Sequence, residues 1–134
     1  MAASHESVLI QALEAAATGN VSPDIFTDDV IGWTPNLAVT SRAELEKEWG
    51  QRDEALSNVS VAIPGIHVIG DMAIAEFALS ADHTGPLVID EAVFEPTGKR
   101  GTLAGAIFAE FRGDKISSFR CYFDDAALLE QLLF

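Results

Sequence analysis

The feature that most constrains this chain is the segment from Gly98 to Leu133, GKRGTLAGAIFAEFRGDKISSFRCYFDDAALLEQLL, which alternates apolar and polar residues over two runs split by Gly113-Asp114. Alternation at period two marks a strand with one buried face, and a Gly-Asp pair between two such runs marks a hairpin turn. Thr102 to Phe111 and Ile116 to Phe123 are therefore predicted as neighbouring antiparallel strands. Asp124 can cap a short terminal helix whose Leu128, Leu129, Leu132 and Leu133 recur at helical spacing and return to the core.

The same period extends upstream to Ser57. Val59, Val61 and Ile63 alternate with Ser60, Ala62 and Pro64, and Gly70-Asp71 is a turn. Ala73, Ala75, Phe77, Leu79, Ala81 and His83 then form the inward set of the next strand, against Glu76, Ser80 and Asp82. His83-Thr84-Gly85-Pro86 breaks that strand, Leu87 to Glu95 reads as one further strand, and Pro96-Thr97-Gly98-Lys99 turns into the last pair.

Before Ser57 the period is helical. Val8, Leu9, Ala12, Leu13 and Ala16 share a stripe over 4–18, with Ser4 as N-cap and Gly19 as stop. Ser22-Pro23 opens a short helical turn through Phe26, and Val30 to Trp33 reads as a brief strand. Ser41 and Glu44 have capping-box spacing ahead of Leu45, Trp49 and Leu56, which predicts a helix to about Ala55. Helices first and an antiparallel meander afterwards is the α+β pattern: a curved sheet wrapped around its helices, whose covered face is where a small-molecule pocket would lie.

A chain of 134 residues, 49% hydrophobic, supports a single domain over residues 1–134 with one sizeable core. With 21 acidic against 8 basic residues, the net charge of -13 argues against nucleic acid and anionic membrane surfaces as partners. The large apolar set left over makes a homodimer an expectation. A single cysteine, Cys121, allows no internal disulfide. The N-terminal stretch has no basic region and reads as a helix rather than a signal peptide, and no apolar run approaches a membrane span, so the expected location is the cytoplasm.

The order and spacing of Phe26-Thr27-Asp28-Asp29-Val30 before Trp33-Thr34-Pro35, Gly70-Asp71 before a strand, and Gly113-Asp114-Lys115-Ile116 before Arg120-Cys121-Tyr122-Phe123-Asp124 resemble the nuclear-transport-factor-2-like superfamily, in its SnoaL-like branch. The resemblance covers nearly the whole chain. It implies a cone-shaped α+β barrel of the cystatin-like kind, frequent homodimers, and relatives that are cyclases, isomerases, epoxide hydrolases, dehydratases or non-catalytic modules. It implies no cofactor. Carried over by position, the general-base aspartate of ketosteroid isomerases falls at Thr34, and their oxyanion pair near Ala12 and Ile107. The arginine and two aspartates of limonene-epoxide hydrolases fall at Ala92, Phe94 and Cys121. None of these residues can serve those roles.

The residues that could still act are few. Asp90 has the parity of Ala92 and Phe94 on the expected strand, and desolvation at a cavity mouth would suit it to proton transfer; the plainer reading is a solvated carboxylate. His83, on the inward set, could shuttle protons or stand solvated beside its loop. His67 is a weaker candidate because Pro64-Gly65 obscures its facing. Trp33 offers a flat wall for a cyclic ligand, whereas Trp49 reads as core. Phe77, Phe94, Ile107, Phe119 and Cys121 complete the expected apolar lining, with Cys121 an inert core thiol rather than a nucleophile. Arg120 and Tyr122 are expected on the outer sheet face, Arg120 paired with Glu110 or Glu76 or placed at a dimer interface. His5, His67 and His83 are too scattered for a metal site.

Two functions remain open. One is an enzyme, a cyclase, isomerase or lyase acting on a small hydrophobic and cyclic substrate through Asp90 or His83. The other is a non-catalytic ligand-binding or dimerising module.

Overall fold

The computed structural model describes residues 4–50, 55–89 and 91–133. These form α1 (His5–Thr18), β1 (Phe26–Thr34), β2 (Leu37–Val39), α2 (Arg42–Trp49), β3 (Leu56–Ile69), β4 (Met72–His83), β5 (Leu87–Ile89), β6 (Ala92–Phe94), β7 (Arg100–Arg112), β8 (Lys115–Phe123) and α3 (Asp125–Leu133).

Both N-terminal helices begin where their caps place them. Ser4 accepts the amide of Ser7, and Ser41 accepts the amide of Glu44, each removing an orphan donor of a first turn. Gly19 closes α1 with φ 82 and donates its amide to the Ala15 carbonyl. A Cβ there would lie 2.5 Å from the Trp49 carbonyl oxygen, so this glycine also lets the C-terminal ends of α1 and α2 meet. His5 stacks on Phe111 at 4.0 Å and donates to the Gly113 carbonyl, tying the start of α1 to the β7–β8 turn.

Six strands form one sheet in the order β2-β1-β8-β7-β4-β3, and β5 pairs only with β6. The long hairpins β3–β4 and β7–β8 and the β4–β7 pair are antiparallel, but β1 joins β8 in parallel, so the first strand is captured by the last. Register shifts interrupt β3 near Pro64-Gly65 and β7–β8 after Glu110. Such bulges raise local twist, and a sheet so bent wraps its helices as an open, strongly curved cone rather than a closed barrel. The α+β cone expected from the sequence is the fold observed.

Two local expectations change. The stretch 87–95 is not one strand but a hairpin, turning at Glu91, whose φ of 70 is left-handed. The brief strand expected at Val30–Trp33 runs over nine residues from Phe26.

The core sits at the narrow end. Val8, Leu9, Ala12 and Leu13 of α1 and Leu45 and Trp49 of α2 pack on Phe26, Ala73, Ala75, Ala109, Ile116 and Phe119 of the sheet. Burying a set of this size is the main favourable contribution to folding. A separate cluster at the wide end gathers Ala55, Leu87 and Leu132, with Phe94 and Leu128 against it.

Candidate functional site

At the wide end the residues facing inward are small. Ala16 and Ala17 of α1, Ala55, Ala81 of β4 and Gly101 of β7 surround a cavity of about 430 Å³. Leu79, Leu103, Phe123, Leu128 and Leu132 supply its apolar walls, and Leu87, Val88 and Glu91 bring the β5–β6 hairpin to its rim. Glu48 and Trp49, from the last turn of α2, form the opposite side. A deeper recess of about 20 Å³ continues from it, sharing Ala16, Trp49, Leu79, Leu103 and Phe123 and ending on Leu13, Thr34, Phe77, Ile107 and Cys121. The volume is that of a site for a small organic molecule.

Polar groups are few. Between rim and recess, Thr34 donates its hydroxyl to Asn36 Oδ1 at 3.0 Å. Glu48 and Glu91 are the carboxylates at the rim, both exposed.

α3 is fixed over the opening by an unusual substitute for a strand. Beyond Gly105 the sheet partner β8 has ended, and Gln131 takes its place at Thr102. Its Oε1 accepts the Thr102 amide at 2.9 Å, and its Nε2 donates to the Thr102 carbonyl at 3.0 Å. An edge that would otherwise need water is thereby satisfied by a side chain. Gly101 makes room, since a Cβ there would meet Leu128 and Leu132 at 2.9 Å.

The expected site residues fall in several places. Phe77, Ile107 and Cys121 are brought together in the recess. Phe119 is buried among the rings of Phe26 and Trp49, 6.0 and 5.7 Å away, and its ring covers Gly32, so it is core and does not line the cavity. Phe94 belongs to the wide-end cluster. Trp33 must be corrected: the inward positions of β1 are Gly32 and Thr34, so Trp33 projects from the outer face, 41% exposed. It packs there on Tyr122 at 5.2 Å. His67 is exposed on β3, outside the cavity. Asp90 lies outside the described residues, and the strand parity used to aim it is lost with the hairpin turn.

His83 has no exposed surface, yet it does not line the cavity. Its Nδ1 receives the Thr97 amide at 3.4 Å, while its own amide and carbonyl bond Lys99 and Gly98. Accepting at Nδ1 leaves the neutral ring's proton on Nε2, which has no partner among the described residues. Its observed role is to pin the loop before β7 to the end of β4.

On the outer face Arg120 lies over the Phe108 ring, 5.7 Å from its centroid, and makes no ion pair with Glu76 or Glu110. The shifted carboxyls also lie away from the cavity. Asp82 is held below its ordinary 3.8 by the Asn58 amide and then by Arg100, and Asp29 by Arg112 and then Thr27. Among the described residues no cluster of His, Cys, Asp and Glu could hold a metal ion, and no helix is long and apolar enough to cross a membrane.

Sequence reasoning missed Glu48, Glu91, Asn36 and the α3 leucines as rim and wall. Leu79 carried the inward parity that marks it; the others meet only through tertiary structure.

A curved, mostly antiparallel sheet enclosing helices and a small apolar cavity defines the nuclear-transport-factor-2-like cone class. Within it, the chain belongs to the SnoaL-like domain family, whose pattern matches residues 9–119. Solved structures agree on the fold. AclR of Streptomyces galilaeus, assigned as a hydroxylase, superposes with TM-score 0.76 at 16% identity over 94% of this chain and 92% of that one. A protein of Jannaschia Sp. CCS1 assigned as a SnoaL-like polyketide cyclase gives 0.79 at 13% over 96% and 90%. IdmH of Streptomyces antibioticus, assigned as a polyketide cyclase, gives 0.77 at 13% over 96% and 98%. No curated protein matches the chain by sequence.

Proposed function

We propose that this protein binds a small, hydrophobic, cyclic molecule in the cavity at the wide end of its cone. The observation that carries this reading is the composition of the recess, where Phe77, Ile107, Leu13 and Leu103 surround few polar side-chain groups, the Thr34 hydroxyl, the Cys121 thiol and the Trp49 indole among the described residues. Apolar walls with few placed polar groups select shape first and hydrogen bonding second. Thr34, Ile107 and Cys121 stand where the resemblance puts the acid–base groups of isomerases and epoxide hydrolases, and none of them is a carboxylate. Binding is therefore the primary function proposed.

The test is a calorimetric titration with N-phenyl-1-naphthylamine, an uncharged three-ring aromatic probe. Saturable binding to the wild type, abolished by Ala16→Phe in a protein of unchanged circular dichroism, supports the site. Equal binding to both proteins overturns it.

A catalytic reading is favoured by one observation, the two rim carboxylates Glu48 and Glu91. Either could take a proton from a ligand whose reactive carbon sits at the mouth, which suits a cyclase- or isomerase-type reaction without a cofactor. Turnover of a polyketide-like ketone that is lost in Glu48→Gln or Glu91→Gln would establish this over simple binding.

The outer sheet face is proposed to pack against a second copy of the chain. Ile31 and Trp33 of β1 and Tyr122 of β8 are exposed side by side with Phe108, and Arg120 among them leaves Glu76 and Glu110 unpaired to it within the chain. A two-fold contact would bring each arginine toward the other copy's acids. Light scattering should give a dimer that Trp33→Glu converts to monomer; a wild-type monomer at tens of micromolar rules it out.

A further inference from the structure

We propose that the ligand of the wide-end cavity is cationic: a compact apolar body that enters the recess, bearing a protonated amine held at the rim beside Glu48 and Glu91. The inference rests on the reading that this cavity binds a ligand, and it adds the ligand's chemical class.

Three observations point the same way. The described lining contains two carboxylates, Glu48 and Glu91, and no lysine, arginine or histidine. Three arginines are held in ion pairs outside the cavity lining. Arg42 pairs with Asp28 at 2.6 Å, Arg100 with Asp82 at 3.2 Å, and Arg112 with Asp29.

The second observation is the direction of the helices. Ala16 and Ala17 come from the last turn of α1, Glu48 and Trp49 from the last turn of α2, and Leu132 from the last turn of α3. Three helices thus present their C-terminal, partially negative ends to one opening. Neither α1 nor α3 has a basic residue in its last turn to offset that end, and the one on α2, Lys47, lies outside the cavity lining. The third observation is the chain's charge of -13, which biases the whole approach path against anions. That charge already includes Arg52, Asp53, Glu54 and Asp90, which lie outside the described residues.

The chemistry follows. A cleft lined by one sign of charge above low-dielectric walls focuses its field on what enters. An ammonium group offers three donors to carboxylates that only accept, whereas a carboxylate ligand would meet like charge with only the neutral donors Asn36, Ser80, Thr34 and Trp49 of the described lining to receive it. A carboxylic-acid product or a phosphate-tethered substrate is disfavoured by the same argument.

The test is isothermal titration of the full chain with three probes of matched length: 4-phenylbutylamine, 4-phenylbutanol and 4-phenylbutyrate. At low ionic strength the amine should bind about tenfold tighter than the alcohol, with the butyrate weakest, an advantage of the size that two screened rim charges supply. Raising salt should shrink the ratio. In the double variant Glu48→Gln, Glu91→Gln, folded by circular dichroism, the amine-to-alcohol ratio should fall to within about twofold. Butyrate binding as tightly as the amine, or a ratio that survives both substitutions, overturns the cationic ligand while leaving the cavity a binding site. Failure of all three probes to bind overturns the binding site itself, and this inference with it.

Discussion

The two ends of the cone are built from the same strands and yet are packed by opposite rules. At the narrow end Phe26, Leu9, Leu45 and Ile116 are all but fully buried, and large side chains pack against one another. At the wide end β4 and β7 continue, but their inward positions are Ala81 and Gly101, and α1 contributes Ala16 and Ala17. Replacing side chains of four to seven carbons by one or none opens a void that close-packed interiors otherwise avoid. The difference teaches that stability is concentrated at one end of the sheet so that the other can stay open, with Gln131, His83 and the β5–β6 hairpin holding the rim in place of a packed core.

The sharpest way to break that comparison is to truncate one residue at each end. Phe26→Ala should cost about 3–5 kcal/mol in urea denaturation, since it removes a fully buried ring between Trp49 and Phe119. Leu103→Ala, on the cavity wall, should cost under about 1.5 kcal/mol, because one side of that side chain already faces open space. Equal costs would mean that the cavity is filled in solution and the two ends do not differ.

His83→Ala comes next, at about 2–3 kcal/mol. It deletes a fully buried ring and leaves the Thr97 amide without its acceptor. If the residue instead acted in proton transfer, His83→Ala would abolish turnover with little change in the urea midpoint, and the structural role assigned here would fail.

How much of this was legible in the sequence follows from what each feature depends on. Ser4, Gly19 and Ser41 were readable because a cap is satisfied within four residues, and the turns at Gly70 and Gly113 because their φ values of 60 and 69 suit glycine locally. The side on which Trp33 projects was not, since it is fixed by the parallel pairing of β1 with β8, some ninety residues away in the chain. The hairpin at Glu91 was hidden because no glycine, proline or asparagine announces it. The cavity was visible only as an inward-facing parity at Leu79 and Ala81, because its volume depends on small residues from α1, β4 and β7, together with Ala55, meeting at one place.

Gln131→Ala sharpens the comparison from the rim. Both of its bonds to Thr102 lie at an exposed edge where water can replace them, so the loss should be about 1 kcal/mol. Hydrogen exchange should nonetheless quicken selectively in α3 and at Thr102, leaving the narrow-end amides of Phe111 and Ile116 protected. Uniform quickening throughout would mean that the two ends unfold as one unit.

The smallest expected effect concerns the acid limb of stability, and it separates the ends by their ion pairs. Asp29, at the narrow end, and Asp82, near the wide end, are both held below 3.8 in the folded chain, the first chiefly by Arg112 and the second chiefly by the Asn58 amide with Arg100. A carboxyl whose folded value is depressed stabilises the fold fully above its unfolded value and loses that contribution as pH falls through the folded one. Each should therefore matter above about pH 4 and fade below it. Both groups lie in solvent, so the effect is slight. Raising salt should weaken the Asp29 contribution, which is mainly an ion pair, more than that of Asp82, where a neutral amide is the largest cause. Carboxyl titrations followed by NMR in low and high salt would test this: an Asp82 that returns toward 3.8 in salt as far as Asp29 does would show that Arg100, not Asn58, holds it.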